Sequence, residues 1–218
     1  MRRNGWSVRG LVGLTGMVAL ISGAGPSASQ AAALKSCAAA GSKILAASGL
    51  TRVYSAENRV FACRPRQRRL LLGFARNAQD PRTDLDTVLR PRAAGRYVAF
   101  ERVYVDERDR RYTVIVRDAA TGRTLTSAPT GQLVNPDGPD SGIGPTTSLA
   151  LRHDGAVAWI VRDETAADTQ HEVWVGQGKA RTRLARAPDI APQSLRLSRQ
   201  RVCWTQGGAP RFSSLPAR

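Results

Sequence analysis

A short strand-like pattern returns four times along this chain and limits its fold more than any other feature. Each copy places two or three apolar residues after a turn or a basic residue. The copies occupy residues 59–62, 96–100, 156–159 and 201–204, and their apolar centres are 38, 59 and 45 residues apart. A recurrence of about 40–50 residues, with several strands in each repeat, is typical of propeller-like folds. We therefore predict an antiparallel, all-β, propeller-like domain with about four short repeat units.

The same elements follow one another inside each predicted unit: strand, polar loop, strand, glycine turn, strand. The second unit shows this best, with a β-rich stretch at 97–105, a charged turn at 106–110 and a return strand at 112–116. Residues 127–147 differ, because they hold four prolines with glycines between them. We predict that they form a long irregular surface loop, which accounts for the 59-residue spacing and is a candidate contact surface.

Residues 151–159 resemble the repeat of TolB-like propellers. Units of that family look like Ser-Pro-Asp-Gly, two further residues, and a short apolar strand that ends in an aromatic residue. This chain departs from the pattern with Arg-His in place of Ser-Pro and with one residue fewer after the glycine. It matches at Asp154, Gly155, Val157, Ala158 and Trp159. The resemblance implies a propeller and protein contacts in the cell envelope, and it implies no catalytic residues.

The first 33 residues have the layout of a secretory signal peptide. Three arginines lie among the first nine residues, an uncharged apolar stretch of 15 residues covers 11–25, and small residues follow. That stretch is shorter than the ~20 residues that a spanning helix needs, although an uncleaved anchor is the alternative. We expect cleavage near Ala31 to Ala33, leaving 34–218 as a single secreted or extracytoplasmic domain without a transmembrane segment.

The chain is strongly basic, with 33 lysines and arginines against 17 acidic residues. Without residues 1–33 the balance is 30 to 17, a net charge of +13. Such a charge attracts anionic surfaces, while the arginine-rich composition of a GC-rich genome is the competing explanation. The densest basic cluster lies on a predicted turn, at Arg64, Arg66, Arg68 and Arg69.

This cluster is the candidate contact for an anionic cell-envelope polymer or an envelope protein. No aromatic residues interleave with its arginines. It therefore lacks the stacking platforms on which single-stranded nucleic acids bind. We predict no nucleic-acid partner.

Three cysteines are present, and export favours a disulfide. Cys37 and Cys63 are close in sequence, so we predict that they pair, although Cys203 can replace either of them. Cys203 lies in a predicted strand, where an unpaired cysteine is typically a small buried apolar side chain. The alternative for Cys203 is a reactive thiol, which requires a basic and partly exposed setting.

Residues that bind metals or catalyse reactions are scarce. His153 and His171 have no cysteine or second histidine at metal-binding spacing. Residues 135–140 place three oxygen-bearing side chains together, fewer than calcium requires, so a proline-glycine turn is the preferred interpretation. We predict no catalytic, metal-binding or cofactor-binding residues.

Three tryptophans remain beyond the leader, at Trp159, Trp174 and Trp204. Each lies in a predicted strand, so we expect them to pack in the core. An aromatic shelf that binds sugars is the alternative, and it requires that they be exposed together.

These observations predict a secreted or envelope-associated binding protein without enzymatic activity. The ligand, the partner and the oligomeric state do not follow from the sequence. The alternative is an extracellular hydrolase whose site is assembled from distant loops, since one fold can support many functions.

Overall fold

The computed structural model describes residues 37–75, 86–106, 109–134, 141–163, 168–198 and 200–215. The predicted signal peptide lies outside these ranges. Within them the protein is all-β, and its strands pair antiparallel except for one parallel contact between β4 and β5. The strands are β1 (Lys43–Ser48), β2 (Thr51–Ala56), β3 (Arg59–Cys63), β4 (Leu70–Phe74), β5 (Thr87–Ala94), β6 (Tyr97–Asp106), β7 (Asp109–Asp118), β8 (Thr124–Val134), β9 (Ser141–Leu151), β10 (Val157–Asp163), β11 (Gln170–Gln177), β12 (Ala180–Ala187), β13 (Arg196–Leu197), β14 (Arg201–Gln206) and β15 (Ala209–Ser214).

The strands form four consecutive meanders, which we number 1 to 4: β1–β4, β5–β8, β9–β12 and β13–β15. Strands β1–β12 are hydrogen-bonded in chain order as one sheet, and β13–β15 form a second sheet. Only a few residues pair where one meander is joined to the next inside the larger sheet. Phe74 pairs with Thr87 between meanders 1 and 2, and residues 133–134 pair with 141–142 between meanders 2 and 3.

The predicted antiparallel all-β class is confirmed, but the described strands do not close into a propeller ring. Neighbouring meanders are joined edge to edge through β4–β5 and β8–β9, which makes one continuous sheet of β1–β12. The sheet of meander 4 is separate, and none of its strands is hydrogen-bonded to meander 1.

Alternation of side chains along the strands buries both faces of the middle meanders. In β6, Val98 and Phe100 pack toward meander 1, whereas Ala99 packs toward meander 3. In β10, Trp159 packs toward meander 2 and Ile160 toward meander 4. Because successive side chains of a strand point to opposite faces, continuous apolar runs are what a doubly covered sheet needs.

The three largest apolar clusters of the core therefore each lie between two consecutive meanders. Fully buried members include Val53 and Val60 of the first cluster, Val114 and Trp159 of the second, and Ile160 of the third. The first strands of the meanders are neighbours, β1 beside β5, β5 beside β9, and β9 beside β13. Hydrogen bonds join them, as from Arg92 Nε to the Leu149 carbonyl at 3.0 Å.

The outer face of meander 1 is covered by the start of the described chain. A disulfide joins Cys37 to Cys63, with 5.8 Å between the Cα atoms. Both cysteines pack with Tyr54, which is fully buried and stacks on Phe61 at 5.5 Å between ring centroids. The predicted pairing of Cys37 with Cys63 is confirmed, and Cys203 is free.

The predicted irregular loop at 127–147 is wrong for the part that the structure describes. Residues 127–134 belong to β8, and residues 141–147 belong to β9. The prolines are tolerated because they lie at irregularities: Pro129 follows the register shift between Tyr112 and Thr113, and Pro145 falls where β9 shifts against β10. Residues 135–140 lie outside the described ranges.

Gly131 is a glycine in the predicted loop, and the close approach of β8 to β9 explains why it is there. A Cβ atom on Gly131 would overlap the carbonyl oxygen of Ile143. Glycine is therefore required at this position by the neighbouring backbone, and it does not mark a loop.

Candidate functional site

The arginine cluster lies on the turn between β3 and β4, where the sequence places it. We call residues 64–69 the arginine turn. Its backbone closes with a hydrogen bond of 3.2 Å from Gln67 N–H to the Arg64 carbonyl. Arg66 adopts a left-handed conformation with φ of 63°, which an L-residue other than glycine adopts at a cost of about 1 kcal/mol. The turn thus has a defined backbone that spreads the side chains outward.

The base of the arginine turn is anchored on its β3 side. Arg64 directly follows Cys63, which is fully buried and bound to Cys37. Strand β3 is in turn paired with β2 along its whole length. The backbone of the turn is therefore fixed at its β3 end.

The charges of the arginine turn are not neutralised by any acidic residue that the structure describes. Arg66, Arg68 and Arg69 are exposed, and Arg64 is half-buried. None of the four forms an ion pair with an acidic residue within the ranges that the structure describes. Burial raises the pKa of the Tyr54 hydroxyl beneath the turn, and the positive charge of Arg69 opposes that rise.

Arginines elsewhere in the protein contrast with this turn, because many have carboxylate partners. These pairs are Arg90 with Glu101, Arg96 with Asp118, Arg102 with Asp86, Arg152 with Asp154, Arg183 with Glu172 and Arg186 with Asp163. The sequence shows the arginines of the turn as a cluster, and the structure adds that none of them pairs with a carboxylate in the described ranges.

A buried carboxylate in meander 2 escaped the sequence analysis. Glu101 of β6 is completely buried, and its Oε1 accepts a hydrogen bond of 2.7 Å from Thr146 N–H of β9. Its Oε2 lies 3.3 Å from Arg90 NH1 of β5. Burial raises the pKa of Glu101 to about 7, against the opposing effect of these two donors. The signal was an acid placed directly after the apolar run of residues 97–100 within β6.

The other buried carboxylates are also held by arginine. Glu172 accepts hydrogen bonds from Arg183 and from the Trp174 indole, at 2.7 and 2.8 Å. Asp163 accepts one from Arg186 at 2.7 Å. Such fixed pairs are suited to joining strands, whereas a general acid and base need to be reached by a substrate.

The two histidines lie in different surroundings. His153 is exposed on the turn before β10. His171 is buried in β11, where burial and the charge of Arg162 lower its pKa. No three side chains among His, Cys, Asp and Glu of the described residues are grouped so that they could hold a metal ion. Residues 135–140, for which the sequence favours a proline-glycine turn over a calcium site, lie outside the described ranges.

The three tryptophans do not form an exposed shelf. Trp159 and Trp204 are buried in two different core clusters, as expected. Trp174 is half-buried and stacks on Trp159 at 6.3 Å between ring centroids. The guanidinium groups of Arg181 and Arg183 lie over its ring, so the ring face is already occupied.

Comparison with known proteins gives no family to which the chain can be assigned. No family model, no curated protein and no solved structure matches it. In the part of the chain that the structure describes, no helix is long and apolar enough to cross a membrane.

Proposed function

We propose that this protein is an extracytoplasmic binding protein without enzymatic activity, which holds an anionic polymer of the cell envelope through the arginine turn. The observation that carries the proposal is the set of four arginines on a disulfide-anchored turn, none of which pairs with a carboxylate of the described residues. The leader-like first 33 residues and the disulfide are compatible with a location outside the cytoplasm.

The chemistry of the turn fits a repeating anion better than a single small ligand. An exposed ion pair contributes about 0–1 kcal/mol, so that one phosphate or carboxylate would bind weakly. Several arginines on one turn engage neighbouring charges of the same polymer, and linked contacts raise the overall affinity. Such binding weakens with salt because exposed charges are screened.

We also propose that the four meanders are an open, propeller-like array related to TolB-like repeats. Three observations support this: each of the first three meanders has four strands, their first strands are neighbours, and the core clusters lie between successive meanders. Protein contacts in the envelope would follow from that relationship.

The alternative of an extracellular hydrolase has less support from the described side chains. The buried acids Glu101, Asp118, Asp163 and Glu172 each bind an arginine. This arrangement favours structural roles for these acids. The cationic arginine turn is therefore the better candidate for a functional surface.

The test is co-sedimentation of the protein beginning at residue 34 with its own purified cell-wall fraction, at low and high salt. The variant Arg66→Gly/Arg68→Gln/Arg69→Gln removes three exposed charges, and glycine also relieves the left-handed backbone at position 66. We expect the variant to bind at least about tenfold more weakly, a difference of 1.4 kcal/mol, and the wild-type protein to be released at high salt.

The matched control removes three charges elsewhere, in Arg59→Gln/Arg123→Gln/Lys179→Gln. These residues are exposed at the other end of β3, after β7 and between β11 and β12. If the control loses as much binding as the turn variant, net charge alone is responsible and the proposed site is refuted. Binding that is unchanged in the turn variant refutes it as well.

A further inference from the structure

Meander 4 has three strands in the described part of the chain, whereas each of the other meanders has four. β15 is the third strand of its meander, as β3, β7 and β11 are of theirs. Those three strands are paired on both sides, whereas β15 lies at the edge of its sheet. Those third strands are mostly buried, while five of the six residues of β15 are exposed. No described strand pairs with the outer edge of β15, and such an edge presents free main-chain hydrogen-bonding groups.

The outer face of meander 4 is also uncovered by the part of the chain that the structure describes, unlike that of meander 1. Val202 and Trp204 of β14 point into the core cluster with meander 3, so the alternating residues Arg201 and Cys203 point outward. Phe212 is paired with Cys203 across the strands and shares that outer face. Its side chain is 64% exposed, the largest exposed fraction among the large apolar residues described.

The charge of this meander is entirely positive. Residues 195–215 contain four arginines and no aspartate or glutamate. The guanidinium of Arg201 lies over the Phe212 ring at 5.1 Å, and Arg211 is paired with Trp204 and so extends toward the opposite face of β15. None of Arg196, Arg201 and Arg211 has a carboxylate partner among the residues that the structure describes.

We propose that an extended, acidic segment of a partner protein binds to the edge of β15 as the fourth strand of meander 4. Main-chain hydrogen bonds to an exposed strand edge provide affinity, and alternate side chains provide specificity. An apolar side chain of the segment packs on Phe212 on one face, and a carboxylate pairs with Arg211 on the other. The partner segment therefore alternates acidic and apolar residues.

Two other occupants fit the same surface less well. A second copy of this chain would place the arginines of one meander 4 against those of the other, which is unfavourable for like charges. A phosphate polymer could pair with the arginines, but it has no amide groups for the β15 edge and no apolar group for Phe212. Pro210, near the start of β15, is in a position that an edge strand accepts.

The probe is a fluorescein-labelled six-residue peptide of alternating glutamate and valine, which matches the length of β15. We expect saturable binding in fluorescence anisotropy and slower hydrogen exchange of residues 209–214. The free edge of β12 in the same protein provides an internal control, since its exchange should not change. Replacement of the glutamates by lysine, or N-methylation of alternate peptide amides, should abolish binding.

The variants Phe212→Ser and Arg211→Gln should each weaken peptide binding by about tenfold. Arg66→Gly removes one charge from the distant arginine turn and should leave peptide binding unchanged, which separates this proposal from the polymer site. Circular dichroism melting curves establish that each variant is folded.

Four results would overturn the proposal: no saturable binding, protection of β12 instead of β15, unchanged binding by both meander 4 variants, or equal loss of binding in Arg66→Gly. Sedimentation velocity supplies a fifth. A homodimer that Phe212→Ser dissociates would assign the edge to a second copy of the chain.

Discussion

At the scale of single residues, Glu101 is the group whose charge most affects the fold. Its ordinary pKa is 4.5, and burial raises the pKa in the folded protein to about 7. The folded state therefore favours the protonated form. This stabilisation is complete below about pH 4.5 and is lost as the pH rises through about 7. From the two pKa values, the loss amounts to roughly 3 kcal/mol.

We predict that Glu101→Gln flattens this dependence on pH, because glutamine keeps a side-chain oxygen for Thr146 N–H and cannot ionise. Relative to the wild type, the variant should become more stable by roughly 2–3 kcal/mol when the pH is raised from 5 to 8. The measurement is the free energy of unfolding in urea at several pH values. A parallel pH dependence in the two proteins would contradict the assignment.

Asp118 provides a control, because its effect on stability changes with pH in the opposite direction to that of Glu101. Burial disfavours its charge, but the hydrogen bonds from Arg96 and from Ala120 N–H prevail, and its pKa is lowered. Its stabilising effect is present above the pKa of the unfolded chain and is lost as the pH falls through the folded value. Asp118→Asn should therefore lose stability at neutral pH and converge toward the wild type in acid.

At the scale of elements, the disulfide fastens the start of the described chain over β2 and β3. Its cysteines are 26 residues apart, and a loop of that size restricts the unfolded chain by about 3.5 kcal/mol in the entropy model. We predict that Cys37→Ser/Cys63→Ser lowers the free energy of unfolding by about that amount and the melting temperature by roughly 10 °C. Calorimetry of both proteins measures the effect.

The matched single variant is Cys203→Ser, since Cys203 is half-exposed and free. Its cost should remain within about 1 kcal/mol. A loss similar to that of the double variant would show that Cys203, and not the disulfide, carries the stability.

The limits of sequence reasoning are clearest in β8 and β9. The apolar runs of β6 and β10 predicted those strands correctly, because burial on both faces produces a continuous apolar pattern. The pattern of β14 did so with one buried face, which carries Val202 and Trp204. Pro129 and Gly131 gave the opposite indication, since proline and glycine usually end strands. Their acceptance depends on bulges and on the approach of Ile143 from another strand, and both are long-range features.

The candidate site was predictable in part. The position of Arg64, Arg66, Arg68 and Arg69 on a turn followed from the strands on either side. That no described carboxylate pairs with them depends on which strands lie beside the turn in the folded protein. No local sequence pattern encodes this arrangement. Glu101 was missed for the same reason, because its partners Arg90 and Thr146 come from β5 and β9.

At the scale of the whole molecule, cohesion comes from the clusters between meanders. Trp159 is 1% exposed in the cluster between meanders 2 and 3. We predict that Trp159→Ala lowers the free energy of unfolding by about 3–5 kcal/mol. Because this cluster joins the two halves of the array, unfolding followed by circular dichroism should also become less cooperative.

Phe212→Ala is the control for this effect, because it removes an aromatic side chain of meander 4 that contacts no core cluster. Its cost should be within about 0.5 kcal/mol. If the two variants were equally stable, the clusters between meanders would not be the main source of cohesion.

The placement of the three core clusters also has a consequence for how the molecule is assembled. Each cluster joins partners that are consecutive along the chain, so folding can proceed from the amino-terminal end in the order in which the polypeptide is synthesised. Each newly formed meander completes the apolar cluster that it shares with the meander before it. Its own far side stays exposed until the next meander folds. Folding in this order keeps the amount of exposed apolar surface small at every stage of synthesis.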